Sequence, residues 1–311
     1  MELNVKDYNR LNNRFKKKLV FRVGESAGFF SEYNNMLLAI HYCLVHKIRF
    51  VLNSRDANFS INRGWQDFFR PFCNEHNYSL LSGYNYRFGK PNYKSKKDRY
   101  LYNLYKRVKN IDYFTYDLFR KIRTEQDLNA YYLIEELNLN GKLLDNCRLL
   151  HRMIWKYQPQ IQEEINKLKN TIGIKTPYIG FHIRSGDKFK EYELLDPDIY
   201  ITKAQQHSNI RNAYVLTDNY EVFTSLKSKY PDWNFFTLCK ESECGYFHKD
   251  FLKKNKEEQK NDLIKLFASM DILESGDYFV GTFSSNPGMN MGFRMDSSKM
   301  VGIDYDNWLI W

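Results

Sequence analysis

The stretch Tyr178-Ile-Gly-Phe-His-Ile-Arg-Ser-Gly-Asp-Lys188 decides how the chain is read. Its opening run of β-branched and aromatic residues is that of a buried strand, and Ser185-Gly186 ends the strand in a turn. An open α/β sheet holds its ligands beyond the carboxyl ends of the strands, which is where Arg184, Asp187 and Lys188 fall. Arg184 offers a planar fork suited to phosphate oxygens, and Lys188 is a compact second cation. Gly186 lets a ligand approach the backbone closely. An Arg-Asp surface pair at a strand end would look the same in this stretch, so the flanking sequence must decide.

Toward the C-terminus, strand and helix patterns alternate. Ala213-Tyr-Val-Leu-Thr217 reads as a strand delivering Asp218 and Asn219, followed by a helix to about Tyr230 and a strand Asn234–Leu238. Gln259–Glu274 carries Leu263, Leu266, Phe267 and Met270 at helical spacing, and Asp277–Gly281 is the next strand. Such alternation predicts a parallel sheet covered on both faces. The segment after the last strand, Thr282-Phe-Ser-Ser-Asn-Pro-Gly288, places hydroxyls and an Asn ahead of Pro287, a helix-start signal. Free N–H groups and the helix dipole at such a start suit an anion. One rim thus gathers Arg184 and Lys188, Asp218, and Ser284, Ser285 and Asn286, a set that suits a pyrophosphate. Asp196-Pro-Asp198 has the form of a metal-binding Asp-x-Asp pair but reads as a surface turn.

Toward the N-terminus, Leu19–Val23, a turn Gly24–Gly28, a helix from about Ser31 to His46 and a strand Ile48–Leu52 form a β-α-β unit. Its loop lacks G-x-G-x-x-G, so a nicotinamide site is disfavoured. Trp65–Phe72 reads as a short packed helix or loop, and Asp112–Lys169 as mostly helical with a break at Gly141. These features predict two domains: an N-terminal Rossmann-like one over 1–172 with a helical insertion over about 90–170, and a C-terminal one over 173–311.

Between Arg87 and Lys109 lie nine basic residues, one acid (Asp98) and four tyrosines. Two readings compete: a solvated helix burying its tyrosines, or a patch that contacts an anionic glycan, glycolipid, membrane or RNA. No nucleic-acid-binding motif accompanies it, so no specific nucleic-acid partner is expected. The net charge of +10 favours an anionic partner of some kind. A content of 43% hydrophobic residues supports packed cores rather than disorder. Five scattered cysteines form no paired framework, and Cys239, Cys244 and His248 are too few to hold zinc, so no metal site is expected. With neither a signal-peptide core nor an apolar run of about 18 residues, the expected location is cytoplasmic, with peripheral membrane contact as an option.

Three blocks in order resemble the inverting GDP-fucose-dependent fucosyltransferases, above all the α-1,6- and nodulation-fucosyltransferase branch and more loosely the protein O-fucosyltransferases. They are Trp155–Ile165 running on to Gly180–Lys188, Val215–Asn219, and Ser275–Asn286. The opening at Gly28-Phe-Phe-Ser-Glu-Tyr-Asn-Asn is also similar. The resemblance implies a GT-B architecture, two Rossmann-like domains facing a cleft, with the acceptor side in the first domain. It also implies fucose transfer from GDP-fucose to a glycan hydroxyl by single displacement, with no cofactor and no metal. Position by position it puts Arg184 on the donor pyrophosphate, His182 near the nucleoside, Asp218 and Gly28 in the donor set, and Ser284, Ser285 and Asn286 at the phosphates. Asp187 and Lys188 match the motif's acid and lysine, and with Glu191 and Glu193 they complete the catalytic candidates.

The pattern departs from that branch at three positions. Its second arginine falls on Ser185, its glutamate beyond the lysine falls on Tyr192, and its guanine-reading aspartate falls on Ser269, with Asp271 the nearest acid. The competing readings are a GT-B transferase using another nucleotide sugar, and a non-catalytic protein that binds glycans or nucleic acid.

Overall fold

The computed structural model describes residues 3–76, 85, 96–185, 196–308 and 310. The chain divides into two compact units, Met1–Gln158 and Pro159–Trp311.

In the first unit the chain runs through α1 (Val5–Asn12), β1 (Lys17–Arg22), α2 (Phe29–Val45) and β2 (Ile48–Asn53). Then come α3 (Lys96–Val108), β3 (Tyr113–Phe114), α4 (Thr115–Thr124), β4 (Tyr131–Ile134), β5 (Leu139–Lys142) and α5 (Leu143–Ile154). The strands β2-β1-β3 form a parallel sheet with β1 in the middle. Helix α2 is apolar on nearly every side and is buried from Tyr33 through Leu44. Its Tyr33 stacks on Trp65 at 6.0 Å, Trp65 on Phe69 at 4.2 Å, and Trp155 meets Tyr33 edge-on at 5.0 Å. That aromatic layer accounts for Trp65–Phe72, which forms one 3-10 turn over Gly64–Asp67 and then buried coil.

The span Asp112–Lys169 is less helical than its sequence suggests. It contains β3 and an antiparallel hairpin, β4 with β5, in which Gly141 pairs with Tyr132 instead of breaking a helix. The turn between the strands is made possible by Asn138, whose φ of 52° lies in the left-handed region that asparagine tolerates.

The second unit comprises α6 (Pro159–Ile172), β6 (Ile179–Ile183), α7 (Pro197–His207), β7 (Asn212–Thr217), α8 (Tyr220–Lys229) and β8 (Asn234–Phe236). It continues with α9 (His248–Phe251), α10 (Lys256–Glu274), β9 (Tyr278–Gly281), α11 (Asn286–Arg294) and β10 (Met300–Gly302). Its boundary falls one helix earlier than the expected break at 172/173. The polar, lysine-rich α6 reads like a linker, yet it buries Ile161 and Ile165, and its Glu164 pairs with Lys260 of α10 at 2.9 Å. Asp196-Pro-Asp198 is a helix start: the Asp196 side chain accepts the Asp198 N–H and caps α7.

All five strands of this unit are parallel, in the order β8-β7-β6-β9-β10. The chain moves outward from β6 through β7 to β8, then returns to lay β9 on the other side of β6. The strand order therefore reverses between β6 and β9, and ligands of open α/β sheets bind in the crevice at such a reversal. Strand β6 is buried throughout, which explains why His182 is its only polar side chain; Phe181 packs on Trp233 at 5.8 Å between ring centres.

Candidate active site

At the carboxyl ends of β6, β7 and β9, sequence-distant polar residues meet. Arg184, the first residue past β6, donates from Nη1 to Asp218 Oδ2 at 2.7 Å, and Asp218 stands one residue past β7. The two side chains are 21% and 14% exposed, so the pair sits at the rim, not in the core. Asp218 also accepts the Ser185 N–H at 2.8 Å on Oδ1 and the Tyr246 N–H at 3.0 Å on Oδ2. The Tyr246 ring lies 5.1 Å from the guanidinium carbon, within cation–π range. Asp218 therefore fixes the direction of Arg184, and Tyr246 braces it from a second side. Ser185 enters this arrangement through its backbone N–H.

His182, on β6 two residues earlier, is 3% exposed, and its register partner on β9 is Gly281. Its Nδ1 lies 3.3 Å from Ser285 Oγ. Ser285 is the N-cap of α11: its hydroxyl accepts the Gly288 N–H at 3.2 Å and lies 3.0 Å from the Thr282 hydroxyl. Only glycine fits at 288, because a Cβ there would stand 1.8 Å from the Thr282 carbonyl oxygen. The expected helix start is thus realised, with Pro287 in the first turn. His182, Ser285 and the α11 N-terminus meet where the strand order reverses, and Arg184 continues the same strand outward.

Two residues at this rim were not anticipated. One is Tyr246. The other is Asp304, beyond β10, whose carboxylate accepts the N–H groups of Phe283 at 2.7 Å and Ser284 at 2.9 Å. Asp304 holds the loop that leads into α11, and it occupies the N–H group of Ser284, one of the donors expected to face phosphate.

Ser269 and Asp271 face different partners. Ser269 is buried, accepting a bond from Tyr214 Oη at 2.8 Å. Residues two apart on a helix face different ways. Asp271 accordingly meets Arg294 Nη1 at 3.2 Å, in an ion-pair group shared with Glu274 at 2.7 Å. Gly28 is the N-cap of α2 in the first unit. The loop before it has its amides taken by the buried carboxylate of Glu32, which accepts from Gly24 at 3.0 Å and from Ala27 at 3.1 Å. The strand reversal of this first sheet, between β1 and β3, is bridged by buried Asn85, which accepts the Thr115 N–H at 2.8 Å and donates to the Val20 carbonyl at 3.0 Å. Among the described residues, the amides of Gly24, Ser26 and Ala27 and the gap between β1 and β3 are thus filled by side chains of the same unit. Asp187, Lys188, Glu191, Glu193, Gly186 and Tyr192 lie outside the described residues. Among the described residues no three His, Cys, Asp or Glu side chains come together as a metal site would require, and no helix is long and apolar enough to cross a membrane.

Residues 147–295 match the family described as alpha-(1,6)-fucosyltransferase N- and catalytic domains. Among solved structures, the fold is similar to NodZ alpha-1,6-fucosyltransferase soaked with GDP-fucose, at 15% identity and a TM-score of 0.54, covering 90% of this chain and 93% of that one. It is also similar to the fucosyltransferase NodZ from Bradyrhizobium, at 16% identity and a TM-score of 0.51, covering 88% of this chain and 91% of that one. A form of NodZ co-crystallized with GDP matches at 15% identity and a TM-score of 0.51, over 88% and 90% of the two chains. The fold is mixed α/β with parallel sheets, of the GT-B type shared by these structures. The family match spans every residue of the second-unit rim except Asp304.

Proposed function

We propose, from the match of residues 147–295 to the alpha-(1,6)-fucosyltransferase family, that the chain is a glycosyltransferase that moves fucose from GDP-fucose to a glycan hydroxyl by one inverting displacement that requires no metal. The observation that carries this reading is the meeting of Arg184, His182 and the α11 N-terminus at the strand reversal of the second unit.

In the displacement the acceptor oxygen attacks the anomeric carbon, the bond from that carbon to the β-phosphate oxygen breaks, and the acceptor proton passes to a base. Negative charge grows on the departing diphosphate. Arg184 supplies a fixed positive charge there, and the dipole of α11 supplies a second favourable field. Because Asp218 and Tyr246 already hold the guanidinium, little side-chain ordering remains when the donor binds. His182 orients the α11 cap through Ser285. The base is drawn from Asp187, Glu191 and Glu193, a role in which a positioned carboxylate contributes about 10²- to 10⁴-fold.

The test is a transfer assay with GDP-fucose and a panel of glycan acceptors, with and without EDTA, the anomeric configuration of the product being read by NMR. A β-linked donor giving an α-linked product at undiminished rate in EDTA supports the proposal. Retention of configuration, or loss of activity in EDTA that magnesium restores, contradicts it.

A further inference from the structure

We propose that α3 is a docking face that seats the protein on an anionic lipid bilayer surface. The helix has two apolar sides. One is engaged: Tyr102 is buried against Val20, Val51, Ile111 and Phe114, and Tyr105 Oη lies 2.6 Å from His76 Nε2. The 3.0 Å ion pair from Lys106 to Asp117 of α4 ties the same helix down further. The other apolar side points to solvent. Tyr100, Leu104 and Val108 recur every fourth residue and Leu101 fills the gap between them, which places all four on one face. They are 67%, 43%, 67% and 45% exposed, in that order.

Scattered exposed apolar residues need no explanation, but four in one stripe on a fixed helix do. The stripe is flanked by Lys96, Lys97 and Arg107, each three or four positions from one of its residues, all exposed and none in an ion pair among the described residues. An apolar stripe with cations along its edges matches one environment well. Acyl chains and the glycerol region take the leucines, the valine and the tyrosine ring, while anionic headgroups meet the flanking charges. Single-stranded nucleic acid would use the cations and one tyrosine, yet leave Leu101, Leu104 and Val108 in water. The charge complementarity and the aliphatic stripe together therefore favour lipid. This inference stands on α3 alone and does not depend on the proposed reaction.

The experiment is sedimentation of the full chain with vesicles of phosphatidylcholine, alone or with about one third phosphatidylserine. Two variants accompany it, the pair Leu101→Asp with Leu104→Asp and the pair Lys97→Glu with Arg107→Glu, each confirmed folded by an unchanged melting temperature. Binding to the phosphatidylserine vesicles that falls at least about tenfold in each variant, and that weakens with salt, is the expected result. Absence of binding to anionic vesicles overturns the proposal, as does binding that the aspartate pair leaves intact. A third contradicting result is a single-stranded oligonucleotide that binds the wild type and is lost in the glutamate pair while vesicle binding persists.

Discussion

Arg184 reaches from the end of β6 to Asp218 at the end of β7, and the 2.7 Å bond between them is closed by the Tyr246 N–H on the same carboxylate oxygen at 3.0 Å. One carboxylate thus aims the cation and anchors two stretches of backbone. Asp218→Asn keeps the size and removes the charge, so it should weaken donor binding by about tenfold or more, the worth of roughly one charged hydrogen bond. Arg184→Lys should not restore what Arg184→Ala removes, because an ammonium lacks the fork that Asp218 holds. Donor titrations of the three variants check this.

Asp304→Asn replaces one accepting oxygen with an N–H₂ group that faces a backbone donor, leaving Phe283 N–H or Ser284 N–H unpaired. We expect a stability loss of about 1–3 kcal/mol. Donor KM should rise more than kcat falls, because Asp304 orders the loop without touching the reacting atoms. Urea unfolding and steady-state kinetics on the same preparation separate the two effects.

Glu32 fills the first unit's loop as a ligand would. Glu32→Ala should cost at least about 2 kcal/mol, since the amides of Gly24 and Ala27 lose a charged acceptor while 1% exposed Glu32 leaves a gap behind. Donor affinity of the protein that remains folded should be unchanged, in contrast to Arg184→Ala. A donor affinity that falls in parallel with stability would show that the first loop takes part in donor binding.

His41 makes the protein acid-sensitive. Gln126 donates from Nε2 to the Leu38 and Ile122 carbonyls, so its Oε1 must accept, and His41 Nδ1, 2.7 Å away, carries the proton. His41 Nε2 is buried and has no hydrogen-bond partner among the described residues. Burial lowers the His41 pKa from 6.5 to about 4. The folded value lies below the unfolded one, so this contribution is complete above pH 6.5 and is lost as the pH falls towards 4, by up to roughly 3 kcal/mol. Unfolding free energies at about pH 7.5 and about pH 4.5 should differ less in His41→Phe than in the wild type.

The second unit was legible where local chemistry dictates structure. The buried strand β6 and the Ser-Asn-Pro start of α11 each declare themselves within a few residues, and the structure has both. Asp304 was not legible because its partners are backbone N–H groups some twenty positions earlier, brought near only when β10 pairs with β9. Tyr246 escaped for the same reason, acting through its own N–H and the face of its ring. The β4–β5 hairpin reads as helix in the sequence although Leu139–Lys142 alternates buried and exposed, because four residues of alternation are too few to separate from a helical pattern. Asp271 is near Ser269 in sequence, but two positions along a helix turn a side chain to another face, here towards Arg294.

In the proposed reaction a guanine nucleoside diphosphate binds at the β6/β9 strand reversal of the second unit. Thermal unfolding with GDP, GDP-fucose, UDP, CMP and ADP, in wild type and Arg184→Ala, tests it most directly. A nucleotide at one hundred times its dissociation constant adds about 2.7 kcal/mol, a shift readily seen. The account predicts stabilisation by GDP and GDP-fucose alone, greatly reduced in Arg184→Ala. Selective stabilisation by another nucleotide, or an equal response in the two proteins, would contradict it.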